Sequence, residues 1–175
     1  MRIHEDQKGF TLIEILITMA IIGILGALSM TMLSRIKFAN VERVVNYVSD
    51  GLRKTQVYGM SKETQKYLHV YKYGNEYYMK ITDSSEDDPD SLGSSGSSIG
   101  TNVKIYKVIG TAVPETKVEV DGSTQIIISF KKDGKMRTKD ASGSAMEDVR
   151  KIIIAGSHDE EVILLNPKTG RHVIQ

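Results

Sequence analysis

Cysteine is missing from all 175 residues, which excludes a disulfide staple and any cysteine-ligated metal centre. A domain built from this chain must be held by its own apolar core. Proline is nearly as scarce, with three in all and none before Pro89, so nothing of that kind interrupts a helix in the first half of the chain. Aromatic residues make up 6 %, and eight of them are tyrosines, which suits a strand-rich surface better than a large aromatic pocket. An excess of one charge is also lacking: 23 Lys and Arg face 22 Asp and Glu, for a net +1. Such a chain has no overall attraction for nucleic acid or for anionic membranes. Its length gives room for one globular domain with an extension, not for two full domains.

What is present in abundance is one uncharged run. Residues 1–9 are polar, with Arg2, His4 and Lys8 set against Glu5 and Asp6, whereas residues 15–34 carry no formal charge before Arg35 and Lys37 end the stretch. As a helix rising about 1.5 Å per residue, this run is roughly 30 Å long, the thickness of a bilayer's hydrocarbon core. A cleavable secretory signal has a shorter apolar region of about 7–15 residues. Ala27-Leu28-Ser29 would serve as its cut site, but the apolar character continues through Met30, Met32 and Leu33. A plain signal anchor accounts for the length and leaves Glu14 unexplained, since a carboxylate costs about 2.5–3.5 kcal/mol at mid-membrane and less near an interface.

The residues around that glutamate read Lys8-Gly9-Phe10-Thr11-Leu12-Ile13-Glu14. This resembles the prepilin cleavage motif of type IV pilins and of secretion-system pseudopilins. The resemblance implies that a prepilin peptidase cuts between Gly9 and Phe10, so that residues 1–9 are a leader and Phe10 becomes an N-methylated amino terminus. It also implies a single pass of the cytoplasmic (inner) membrane with the head outside, delivery to an assembly platform, and incorporation into an extracellular or periplasmic filament. Lys8 suits the cytoplasmic side. Cutting would leave the amine of Phe10 in an apolar bundle, and pairing it with Glu14 of a neighbour, or of the same subunit, would offset the burial of both charges. Gly23, Gly26 and Ala27 allow close helix packing. Many relatives carry a proline within this helix; its absence here leaves Gly23, Gly26 or Gly51 as the sites for any break.

Beyond Arg35 the apolar positions become periodic, at Val41, Val44, Val45, Val48 and Leu52, with Glu42, Arg43, Asp50, Arg53 and Lys54 on other faces. That is an amphipathic helix with a stripe ready to lie on a sheet. The expected organisation is α+β, the pilin fold. Residues 10–35 form a transmembrane, filament-core helix, residues 36–62 its amphipathic continuation, and residues 63–175 an antiparallel β-sheet head. Two β-prone runs flank Gly74-Asn75 as a hairpin, and further strands are expected at 103–109, 117–120, 124–131, 150–155, 161–166 and 171–174. Residues 83–102, rich in serine, glycine and acids with only Leu92 and Ile99 to bury, read as a mobile loop. Glu86, Asp87, Asp88 and Asp90 supply hard oxygen ligands for calcium, without EF-hand spacing.

Two C-terminal pieces resemble the H-type minor pseudopilins and FimT-like minor pilins: Ile128-Ser129-Phe130-Lys131-Lys132-Asp133-Gly134, and a closing hairpin running from Val162 to Gly170-Arg171. That branch includes pilus subunits, type II secretion pseudopilins and competence proteins. In some of its members a basic hairpin tip contacts DNA, for which Lys168, Arg171 and His172 are the candidates here; three cations with no interleaved aromatic attract phosphate weakly. An enzyme is not expected. His4, His69, His158 and His172 show no metal spacing, no nucleophile elbow or phosphate loop occurs, and no catalytic residue, cofactor or metal is assigned. A membrane-anchored extracellular adhesin or sensor domain is the alternative, and it would need neither the Gly9-Phe10 junction nor Glu14.

Overall fold

Leucine, isoleucine and alanine dominate residues 12–27, valine and leucine recur at helical spacing from residue 41, and no proline intervenes. A computed structural model accordingly forms one helix, α1, over Leu12–Ser61. The structure describes residues 11–61, 64–110, 115–157 and 159–175, with the helical backbone alone for residues 28–39. The chain divides into two compact units, Met1–Ile36 and Lys37–Gln175. In the first unit every side chain from residue 12 to 27 is exposed, among them Leu12, Ile13, Leu16, Ile22 and Ile24.

In the second unit the helical stripe behaves as its period requires. Val41, Val44, Val45, Val48 and Leu52 are buried, while Glu42, Arg43, Asp50, Arg53 and Lys54 are exposed. Full burial of an aliphatic side chain of this size contributes about 1.5–3 kcal/mol, so the stripe is what holds this part of α1 to the strands. Gly59 marks a close approach to a strand backbone. A Cβ there would stand 2.5 Å from the carbonyl oxygen of Phe130.

The strands are antiparallel, as expected, but they form two sheets where one was expected. β1 (Tyr67–Tyr73) and β2 (Glu76–Thr82) make the hairpin around Gly74-Asn75, with Tyr73 opposite Glu76. β3 (Ser97–Gly100), β6 (Ile126–Phe130) and β7 (Met136–Lys139) complete the first sheet in the order β3-β2-β1-β6-β7. The second sheet is β10-β9-β8-β4-β5, built from β4 (Lys104–Ile109), β5 (Thr116–Glu119), β8 (Val149–Ala155), β9 (Glu160–Asn166) and β10 (Arg171–Ile174). Local pattern identifies a strand but not its sheet: β4 pairs with β8 more than forty positions away, Ile105 opposite Ile154. Leu68, Val70, Ile126 and Ile128 of the first sheet share one core with Ile105, Ile152, Ile154 and Ile163 of the second and with the α1 stripe.

The stretch read as a mobile loop, 83–102, is built of short elements. A helical turn, α2 (Pro89–Leu92), is capped by the Asp88 side chain accepting from the Ser91 N–H at 2.6 Å; a 3₁₀ turn (Gly93–Ser95) and β3 follow. Pro89, Leu92 and Ile99 are buried. Ile99 joins the core shared with the α1 stripe, whereas the part before β3 lies against the first sheet through its backbone. Its carbonyls accept from buried side chains there: Asp87 O from Gln125 Nε2 at 2.8 Å, and Gly93 O from the Tyr71 hydroxyl at 2.9 Å. β6 is buried at all five positions: Ile126, Ile128 and Phe130 belong to the core shared with the helix stripe, and Ser129 on the other face accepts from Gln65 Nε2 at 2.9 Å.

Candidate functional site

At the amino-terminal end, Thr11 precedes the first residue of α1 and accepts the N–H of Glu14 on its hydroxyl at 3.3 Å and on its carbonyl at 3.1 Å. Thr-x-x-Glu at a helix start is the capping-box pattern, in which the threonine satisfies an otherwise orphaned donor. Glu14 lies in the first turn, where a carboxylate is also favoured by the partial positive charge of the helix end, by about 0.3–1 kcal/mol. Thr11 as a cap went unread in the sequence although the spacing carried it. Glu14 itself is exposed among exposed apolar neighbours, so its side chain is open to a partner. Gly23 and Gly26 each have clear space where a Cβ would stand. Gly9 and Phe10, the expected cleavage and methylation positions, lie outside the described residues, as do the leader and His158.

Among the described residues no helix is long and apolar enough to cross a membrane. The uncharged run enters residues 28–39, whose side chains are outside those described.

The three C-terminal residues expected as candidates for DNA contact are not all presented to solvent. Lys168 and Arg171 are exposed, but His172 is turned inward, its Nε2 3.1 Å from the Ser49 hydroxyl on α1. Burial, and secondarily the Arg53 guanidinium, lower its pKa below the ordinary imidazole value. His172 is thus a packing residue that fastens β10 to α1, a role that needs the long-range contact to be seen.

Lys168 has other company. The β9–β10 turn meets the β6–β7 turn, where the Met136 N–H donates to Pro167 O at 3.0 Å. Gly170, at φ +70°, leaves no room for a Cβ beside Gly134 O. The two tips enclose an open groove of about 570 Å³ between Lys131, Lys135, Arg137 and Lys168, floored by Met136 and Pro167. Met146 stands at its rim, 63 % exposed.

The acids of the 86–90 segment do not converge. Asp88 is occupied in capping α2, and among the described residues no three His, Asp or Glu side chains gather as metal ligands.

Residues 6–30 match the family described as the prokaryotic N-terminal methylation motif. This chain is type IV pilin-like. The match spans the Gly9-Phe10 junction and the helix start at Thr11–Glu14, the same residues that carry the resemblance in the sequence. The motif marks a prepilin substrate: it implies processing by prepilin peptidase, assembly with other pilins, and a membrane-anchored protein taken into a filament. Its family is structural rather than catalytic. No curated protein and no solved structure matches the type IV pilin-like chain.

Proposed function

We propose that this chain is a structural subunit, a minor pilin or pseudopilin, of a type IV pilus or of a type II secretion or competence pseudopilus. It is cut between Gly9 and Phe10, methylated on Phe10, held in the cytoplasmic membrane by the apolar half of α1 with the head outside, and passed by an assembly platform into the filament. The observation that carries this is the methylation motif at residues 6–30 running into a helix exposed along all of its described apolar half and packed along the other. Exposed apolar surface on that scale marks a lipid or partner surface. The strand-rich head beside a long helix supports the pilin fold, and its hairpin turns support the H-type and FimT-like branch.

Glu14 is the recruiting residue in this reading. Glu14→Leu removes a charge from an apolar helix, so insertion is unimpaired, yet an incoming Phe10 amine then lacks its partner, and an unpaired buried charge costs several kcal/mol, about 3–5. The test is recovery of tagged protein in sheared filaments, with mass spectrometry of its amino terminus. The expected result is a methylated Phe10 terminus in every variant, normal incorporation of Thr11→Ala, partial incorporation of Glu14→Gln, and none of Glu14→Leu. Thr11→Ala removes the helix cap alone, so equal failure of it and Glu14→Leu would assign Glu14 to capping. An intact Met1 terminus where the peptidase is active would make the chain a simple membrane-anchored head.

A further inference from the structure

The groove between the two hairpin tips is strongly basic. Four cations, Lys131, Lys135, Arg137 and Lys168, surround it; Asp133 pairs with Lys135 at 2.9 Å and is also within the electrostatic reach of Lys131. Among the described residues Lys131, Arg137 and Lys168 have no ion-pair partner. In a chain of net charge +1, this is segregation of charge rather than overall excess. Its counterpart is on the same molecule. Glu86, Asp87, Asp88 and Asp90 put four acids into five positions, Glu86, Asp88 and Asp90 are exposed, and none has a cationic partner among the described residues. The acidic segment is pinned before any partner arrives. The Ser85 hydroxyl donates to Gly143 O at 3.0 Å, Gln125 holds Asp87 O, and Asp88 caps α2. Pre-ordering of this kind reduces the entropic cost of docking.

We propose, resting on the filament-subunit reading, that the basic groove of one copy receives the acidic segment 86–90 of a second copy. The two patches are different surfaces, so the contact is heterologous: each copy offers a donor patch and an acceptor patch, and repetition gives an open chain rather than a closed dimer. Charge complementarity sets the register and speeds encounter, and the exposed Met146 at the rim adapts to an acidic loop without a fixed apolar anchor. Glu86 and Asp90 reach into the groove toward Lys135, Arg137 and Lys168.

Because the chain has no cysteine, single thiols report the contact directly. Lys168→Cys and Asp90→Cys, introduced in separate tagged copies of the full-length chain, are mixed in detergent and oxidised, and the same pair is examined in sheared filaments. A mixed disulfide dimer is expected only when both variants are present. Its yield should fall about tenfold on charge reversal by Arg137→Glu, and should weaken as salt rises from about 0.05 to 0.5 M because screening shortens the reach of exposed charges. Glu86→Lys in the opposite copy should restore the Arg137→Glu yield. All of these positions are at the surface, and an unchanged melting temperature shows that each variant folds. Absence of the mixed disulfide from detergent samples overturns the contact, and so does a disulfide formed equally by either variant alone, or capture of duplex DNA or another protein by the groove in place of a second copy. Failure of the filament-subunit reading shows separately, as absence of the wild-type chain from sheared filaments.

Discussion

Lys107 and Glu147 make a sharp test of how the head is held together. The Lys107 ammonium on β4 is 2 % exposed, 2.6 Å from Glu147 Oε2 and 3.2 Å from the carbonyl of Gln125. Gln125 immediately precedes β6, so one amine joins the second sheet to the first. Glu147→Ala would leave that amine with a single neutral acceptor, and stripping one partner from a buried pair costs about 3–5 kcal/mol. Lys107→Met is milder, because the Glu147 side chain is 16 % exposed and can rehydrate; loss of its charged hydrogen bond costs about 1.5–3 kcal/mol. The double variant Lys107→Met/Glu147→Leu removes both desolvation penalties and should be more stable than Glu147→Ala. Against a domain stability of about 5–15 kcal/mol, these differences are large. Urea unfolding of a fragment beginning at Lys37, followed by circular dichroism, measures them. A loss below about 1 kcal/mol for Glu147→Ala, the level of an exposed pair, would refute the reasoning, as would a double variant no better than the single one.

The same fragment carries its own expectation: separated from the exposed apolar helix it should be soluble and keep its strand signal, and a molten or aggregating product would mean that the apolar run belongs to the core. Gly59→Ala should lower the unfolding temperature despite alanine's helix preference of about 1 kcal/mol, since the new methyl meets the Phe130 backbone at 2.5 Å and overpacking costs about 1–3 kcal/mol. His172 should make the head acid-sensitive. Its pKa is lowered by burial and by Arg53, so the unfolded chain takes up the proton more readily. Stability is then complete above the ordinary value of about 6.5 and declines as pH falls from there toward the folded-state pKa. Melting curves of wild type and His172→Gln between about pH 7.5 and 5.5 should converge or cross if this holds, and run parallel if it does not.

What could be read from the sequence was whatever depends on near neighbours. The α1 stripe needs only a period of 3.6 residues, and the Gly74-Asn75 hairpin needs only two flanking runs, so both form as expected. The amino-terminal motif is continuous, which is why its residues and the matched region agree. β7 is not legible in the sequence because Met136 and Thr138 alternate with Arg137 and Lys139, a short and heavily charged version of the strand pattern whose inward positions are buried only once β6 lies alongside. His172 and Lys168 are close in sequence but not in surroundings. Contacts with Ser49 on one side and with the β6–β7 turn on the other divide them.

The covering segment shows why composition misleads at this point. Serine, glycine and acidic side chains offer little to bury, and on side chains alone residues 83–102 belong in solvent. The segment acts instead through its backbone. Ser84 O accepts from the Thr82 hydroxyl at 2.6 Å and lies 2.9 Å from Nε2 of the fully buried His69. Asp87 O and Gly93 O satisfy Gln125 and Tyr71, likewise fully buried. A buried donor without such a partner costs about 1–3 kcal/mol, so the polar residues on the outer face of β1 and beside β6 and the side-chain-poor segment over them are mutually required. Small residues suit that task because they let the chain lie close to the sheet with its carbonyls pointing down and its acids pointing out. The result is an ordered acidic ridge on a head whose opposite charge is collected at the hairpin tips, an arrangement that a count of charges along the chain, nearly balanced at +1, conceals.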